Sequence, residues 1–221
     1  LNRQWAKNVA IGYKALSGSS AQYGTGNKLG MIAIGSETLS KVTSGLELLA
    51  IGYQALQNAT EAQTNIAIGE HTLESNISGN ANVAIGHYAG QVAVDRDSNT
   101  FVGNYAGRYI SGSTNVAVGR DALMGGVTSG DYSTVQNNVA IGDDALTKIE
   151  TGDDNVAIGA NAGLDITSGQ KTVLIGKDAG TNLTTTSGTI AIGHKALEDA
   201  VDGVGNSSVV IGNLAGNNVT T

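Results

Sequence analysis

Large branched side chains alternate with small ones in a short phrase that returns twelve times along the chain and always closes on glycine. In Asn82-Val83-Ala84-Ile85-Gly86-His87-Tyr88-Ala89-Gly90, Val83 and Ile85 stand two residues apart, the period of a β-strand. The closing glycines are Gly12, Gly35, Gly52, Gly69, Gly86, Gly103, Gly119, Gly142, Gly159, Gly176, Gly193 and Gly212, with 17 residues as the commonest interval. The position three before each is aliphatic in eleven copies, Thr100 being the exception, and the position one before is Ile in ten, with Val102 and Val118 in the others. Between them stands Ala in nine copies and Phe101, Leu174 or Val210 in three. Each phrase therefore predicts a strand with one large aliphatic face and one small face.

The rest of the period reads as a return leg. Ala follows three residues after the marker glycine in ten copies, with Thr38 and Thr72 in two, and the next position is Leu in seven copies and Gly in five. A weaker apolar position recurs seven or eight residues on, at Val42, Ile77, Val94, Ile110, Val127, Ile149, Ile166, Leu183 and Val201. A second glycine often precedes the next marker by seven (Gly45, Gly79, Gly112, Gly152, Gly169). These signs predict a second short strand and a second bend in every coil. A fixed period of this size marks a solenoid in which each coil rests on its neighbour. The expected fold is all-β, a parallel β-solenoid of about twelve coils of 17 residues. At the spacing of parallel strands it would be a rod on the order of 55–60 Å long.

Asn stands four before the marker in seven copies (Asn8, Asn65, Asn82, Asn99, Asn115, Asn138, Asn155), where stacked amides can bond along the rod as a ladder. Residues 1–7 form a lead-in containing Trp5, placed either to cover the end of the stack or to contact a preceding domain, and residues 8–221 the repeat domain. Two coils carry six extra Gly/Ser-rich residues, in the stretches 16–31 and 123–138. Such bulges are either tolerated insertions or binding loops.

Composition sharpens this picture. With 32 Gly, no Pro, no Cys and 4% aromatic residues, the core must be thin and built from Val, Ile, Leu and Ala. A coil of this kind buries little, so packing of the small Ala/Gly face on another chain is expected, most simply in a three-fold bundle of parallel rolls. The net charge of −7 argues against a nucleic-acid partner. No apolar run reaches the ~20 residues of a membrane span, so no membrane insertion by this segment is expected. The start at Leu1 reads as that of an excised or processed segment.

The phrase Asn-Val-Ala-Ile-Gly-x-x-Ala resembles the head repeats of YadA-like trimeric autotransporter adhesins, and the similar Ala-Ile-Gly-x-x-Ala-Leu repeats of some phage tail fibres, over about residues 8–216. The resemblance implies a left-handed β-roll, a homotrimer, and a role in attachment to a host-surface glycan or protein receptor, outside the cell on a virion or a bacterial surface. The coils are longer than those typical of adhesin heads, which leans toward a tail fibre. A purely structural spacer is the alternative role.

Catalysis has little to rest on. Ile68-Gly69-Glu70-His71-Thr72-Leu73 fits a single hexad of a hexapeptide acyltransferase, but the remainder of the coil does not keep a six-residue period. His71, His87 and His194 fall in the variable pair after the marker glycine, where exposure is expected. The clusters Asp95-Arg96-Asp97 and Asp153-Asp154 read as solvated surface, and no catalytic residue, metal or cofactor is assigned. Specificity is expected instead where the monotony breaks: Tyr13, Tyr53, His71, His87, Tyr88 and Tyr105 in the variable pairs, with Tyr23 and Tyr132 in the insertions. His71, Tyr88 and Tyr105 share one phase in consecutive coils. They would form either a stack that stabilises the rod or a surface for sugars.

Overall fold

The computed structural model describes residues 7–18, 28–92, 95–126, 132–200, 206–217 and 219. Twelve three-residue strands, from Val9–Ile11 to Val209–Ile211, form a single parallel sheet in chain order. Register is strict: Ile66, Ala67 and Ile68 oppose Val83, Ala84 and Ile85, which in turn oppose Thr100, Phe101 and Val102. Every repeat thus adds one strand directly on top of the last, and the chain is a parallel β-solenoid. Trp5, Tyr23, Val94, Val127 and Val201 lie outside the described residues.

The two faces of the strand are used in the opposite sense to that expected. The small central residue points inward: Ala33, Ala50, Ala67, Ala84, Ala117, Ala140, Ala157 and Ala191 are wholly buried. The branched aliphatics face outward, and Ile85 and Ile141 remain 38% exposed in the middle of the sheet. It is therefore the Val/Ile face, not the Ala/Gly face, that stands free. The physical reason is the narrowness of the coil, whose lumen is already filled by alanines together with Leu39, Leu56, Leu73, Leu123 and Leu146 from the return leg. Close packing leaves no room there for two more branched side chains per strand.

The return leg is not a second regular strand. Among the described residues its strand-like pairing is confined to Lys28–Leu29 with Gly45–Leu46, a bridge at Gln63, and Ile110 bridging Ser133. Elsewhere the leg consists of turns, built on left-handed backbone two and four residues after each marker glycine, as at His71 (φ 55°) and Leu73 (φ 48°). Coil-to-coil bonds still satisfy it: Leu56 N donates to Thr72 O at 3.0 Å and Leu73 N to Ala89 O at 3.1 Å. The inward position on this leg is seven after the marker, where Val42, Ile110, Ile149, Ile166 and Leu183 are fully buried, whereas Ile77, eight after, is 42% exposed.

The marker glycine is required twice over. Gly86 has φ 135°, which L-residues avoid, and a Cβ there would lie 2.3 Å from the carbonyl oxygen of Gly103 in the next coil. A comparable clash recurs at every marker from Gly12 to Gly193, so the stacked glycines let successive bends touch backbone to backbone. Beside this column runs the asparagine ladder. Asn82 Nδ2 donates to Asn65 Oδ1 (3.1 Å) and Arg96 O (2.6 Å), while Asn82 Oδ1 accepts from Asn99 N (2.9 Å). The ladder runs from Asn65 to Asn155, where Thr172 takes over, donating from both N (3.0 Å) and Oγ1 (2.8 Å). All these side chains are buried, so the bonds satisfy groups that water cannot reach.

The exceptions to the repeat compensate one another. Where the inward strand residue is large, the position four after the marker is glycine in the same coil. A Cβ on Gly107 would sit 2.4 Å from Phe101 Cδ1, and one on Gly90, a coil earlier, 2.7 Å from Phe101 Cδ2. Leu174 stands in the same relation to Gly163 and Gly180, at 2.8 and 3.0 Å. Val210 faces Gly216, at 3.1 Å. Every coil with Leu at that position has Ala on its strand. The lumen therefore holds a nearly constant volume, supplied from either leg.

Candidate functional site: a ring stack with an unpaired arginine

Four successive coils, those of Gly52, Gly69, Gly86 and Gly103, gather side chains that are rare elsewhere in the chain. They hold Tyr53, Tyr88, Tyr105 and Tyr109 of its 7 tyrosines and two of its 3 histidines. The backbone sets their spacing, since His71 N donates to Tyr53 O, Tyr88 N to Glu70 O and Tyr105 N to His87 O, each at 2.9 Å. Side chains at one phase are thereby carried into a stack. His71 and Tyr88 lie face to face with centroids 4.8 Å apart and planes 7° apart, and Tyr88 and Tyr105 at 5.6 Å and 16°. Tyr53 meets His71 edge-on at 5.3 Å, and His87 packs edge-on against Tyr88 at 4.2 Å and Tyr105 at 5.6 Å.

So Tyr53, His71, His87, Tyr88 and Tyr105 come together. His71 is less exposed than expected, with a side-chain accessibility of 16%, because its ring is covered by Tyr88 and held by Glu74. Tyr13 stands apart in the first coil, 67% exposed with Lys14 Nζ 5.1 Å from its ring centroid. Tyr132 is elsewhere too, on a pocket of about 470 Å³ that Ser111 and Glu150 also line. Tyr23 lies outside the described residues.

Residues five after the marker complete the cluster and had not been singled out from sequence. Glu74 Oε2 binds His71 Nδ1 and accepts from Gln91 Nε2, both at 2.9 Å, and Gln91 Oε1 accepts from Arg108 Nε at 3.0 Å. The Arg108 guanidinium carbon sits 4.6, 4.9 and 4.7 Å from the ring centroids of Tyr88, Tyr105 and Tyr109. Their common phase, one coil apart at Glu74, Gln91 and Arg108, was the available signal.

Arg120 offers a contrast one coil on. Its Nε lies 2.8 Å from Asp143 Oδ1, its Nη2 2.9 Å from Asp144 Oδ2, and its Nη1 contacts Asp121. The hydrogen bond to Asp143, with the charges of Asp144 and Asp143, pushes the Arg120 pKa up. Burial raises that of Asp121, against the pull of Arg120.

The acidic clusters act as caps for the coil below. Asp95 Oδ1 accepts from Ser78 N (2.8 Å), Asp97 Oδ1 from Asn80 N (2.6 Å) and Asp153 Oδ1 from Gln136 N (2.7 Å). Among the described residues no group of three His, Cys, Asp or Glu could hold a metal ion. Nor is any helix among them long and apolar enough to cross a membrane. Compared with known protein families, curated proteins and solved structures, the chain matches none. The fold and its surface define a class, the parallel β-solenoid repeat proteins.

Proposed function

We propose that the chain is a segment of a homotrimeric attachment fibre, as in trimeric adhesin heads or phage tail fibres, working outside the cell on a host-surface receptor. One observation carries the reading: the outward strand face is an aliphatic strip interrupted at a single position. Of the two outward positions on each strand, Thr100 alone is not Val, Ile or Leu, and none is charged. A solvent-facing sheet normally interrupts such a strip with charge. Two rows of side chains the length of the rod suit a narrow seam, and three such seams meeting on an axis would close one continuous core. The resemblance of the phrase to adhesin and tail-fibre repeats supports the same assembly. The reading includes no catalysis, membrane insertion or nucleic-acid partner.

Sedimentation equilibrium on the whole chain tests it. A species of three times the 22.3 kDa chain mass is expected. Ile141→Asp with Ile158→Asp should reduce it toward monomer while the β-type circular dichroism persists. A monomeric wild-type chain at micromolar concentration would overturn the assembly. A spacer is distinguished from an adhesive segment by retention of the purified trimer on host cells.

A further inference from the structure

The ring stack carries chemistry that the rod itself leaves unused. Among the described residues no carboxylate pairs with Arg108, whose one side-chain bond is from Nε to Gln91. Arg120, by comparison, is met by three aspartates. The Arg108 guanidinium is nonetheless held in place between three tyrosine rings. Both its Nη groups, in the fork geometry that matches an oxyanion, have no hydrogen-bond partner among the described residues. The tyrosine hydroxyls likewise have no protein hydrogen-bond partner among the described residues. Ring faces within the stack are already covered by one another, so what it offers is a row of ring edges and hydroxyls around one oriented cation.

We propose that Tyr88, Tyr105, Tyr109 and Arg108, with His87 and, 3.4 Å from its Nδ1, the Asn104 amide oxygen at the margin, form a docking surface for an acidic saccharide, a sugar unit bearing a carboxylate or a sulfate. This rests on the attachment reading above and places its contact with the receptor. The guanidinium supplies a paired, charge-assisted clamp for the anionic group. The hydroxyls of Tyr88 and Tyr105, whose rings stack one coil apart, with that of Tyr109 beside them, suit the hydroxyl groups of a sugar ring. An acidic peptide would satisfy Arg108 but leave the hydroxyl row without matching partners. Glu70, beside His87 at 3.8 Å, disfavours a long polyanion laid along the stack and so favours a short or terminal acidic unit.

Calorimetric titration of the whole chain with sialyllactose, 6-sulfolactose, lactose and tetraglutamate is the test. Either acidic sugar should bind at least about tenfold more tightly than lactose, the factor that one charge-assisted pair provides. Arg108→Lys, which keeps the charge but loses the fork, should forfeit that advantage, and Tyr105→Phe should weaken binding while leaving the circular dichroism unchanged. Equal affinity for lactose, tighter binding of tetraglutamate, no binding by either acidic sugar, or an unaffected Arg108→Lys variant would each overturn the proposal. Trimer mass by sedimentation is read separately, so loss of sugar binding with the trimer intact refutes this surface and not the fibre.

Discussion

Phe101→Ala is the most direct probe of how the solenoid is filled. Phe101 is wholly buried and its ring occupies the lumen of two coils, which is why Gly90 and Gly107 flank it. Removing the ring should cost about 3–5 kcal/mol, the range for Phe→Ala in a core that cannot collapse. Gly107→Leu with Phe101 in place should also destabilise, by about 1–3 kcal/mol or more, because the new Cβ would start 2.4 Å from the ring. Combined as Phe101→Ala, Gly90→Leu and Gly107→Leu, the changes rebuild the Ala/Leu pattern of the other coils, and two isobutyl groups restore slightly more than the volume of the lost ring. The backbone is ready for them: φ is 58° at Gly90 and 60° at Gly107, and the leucines of the regular coils sit between 48° and 55°. The triple variant should therefore lie within about 1.5 kcal/mol of wild type, far above the sum of its parts. Urea unfolding at fixed protein concentration reads this out, since the stability of the proposed trimer would depend on concentration. A triple variant no more stable than Phe101→Ala would refute the constant-volume account.

Four further outcomes are expected. Gly86→Ala combines a disfavoured φ with a backbone clash against Gly103, and should cost about 3 kcal/mol or more in urea unfolding. Asn82→Ala leaves Asn99 N and Arg96 O without their bonds inside the ladder; at about 1–3 kcal/mol per stranded group, thermal melting should fall sharply. Asn82→Asp should melt low as well, because a carboxylate accepts from Asn99 but cannot donate to Asn65 or Arg96. For Asp121, burial raises the folded pKa, so the unfolded chain releases this proton first and stability falls as pH rises from about 4 through the folded value. Asp121→Asn should accordingly gain stability relative to wild type at pH 7 and none at pH 3, measured by parallel urea titrations.

How much of this was written in the sequence differs from element to element. The strand, its register and the coil count were legible because the same residue types return at one phase, and the structure stacks Val83 on Thr100 and Ala84 on Phe101 as that phase requires. The asparagine ladder was legible for the same reason. The return leg was misread because a weak apolar position with glycine nearby suits a turn as well as a strand. What decides between them is left-handed backbone at residues such as His71 and Leu73, which no residue type there announces. The ring stack was legible from shared phase, but Arg108 was not, since its phase holds Gln57, Glu74, Gln91 and Arg108 in the four coils and so keeps neither one residue type nor one charge.

Which strand face turns inward is the more instructive failure. A two-residue period separates the faces without ranking them, and hydrophobicity alone would put the larger side chains inside. The deciding information was volume, and it lay in the irregularities. Phe101 and Leu174 occur only where the return leg gives up its leucine for glycine, and such an exchange is needed only if both positions share one confined space. Had Val83 and Ile85 faced the lumen, swapping Ala84 for a phenyl ring in the next coil would have had no bearing on Gly90 or Gly107. The pairing of exceptions thus assigns alanine to the interior. By elimination it leaves the aliphatic face to the outside of the coil, where the proposed trimer would cover it.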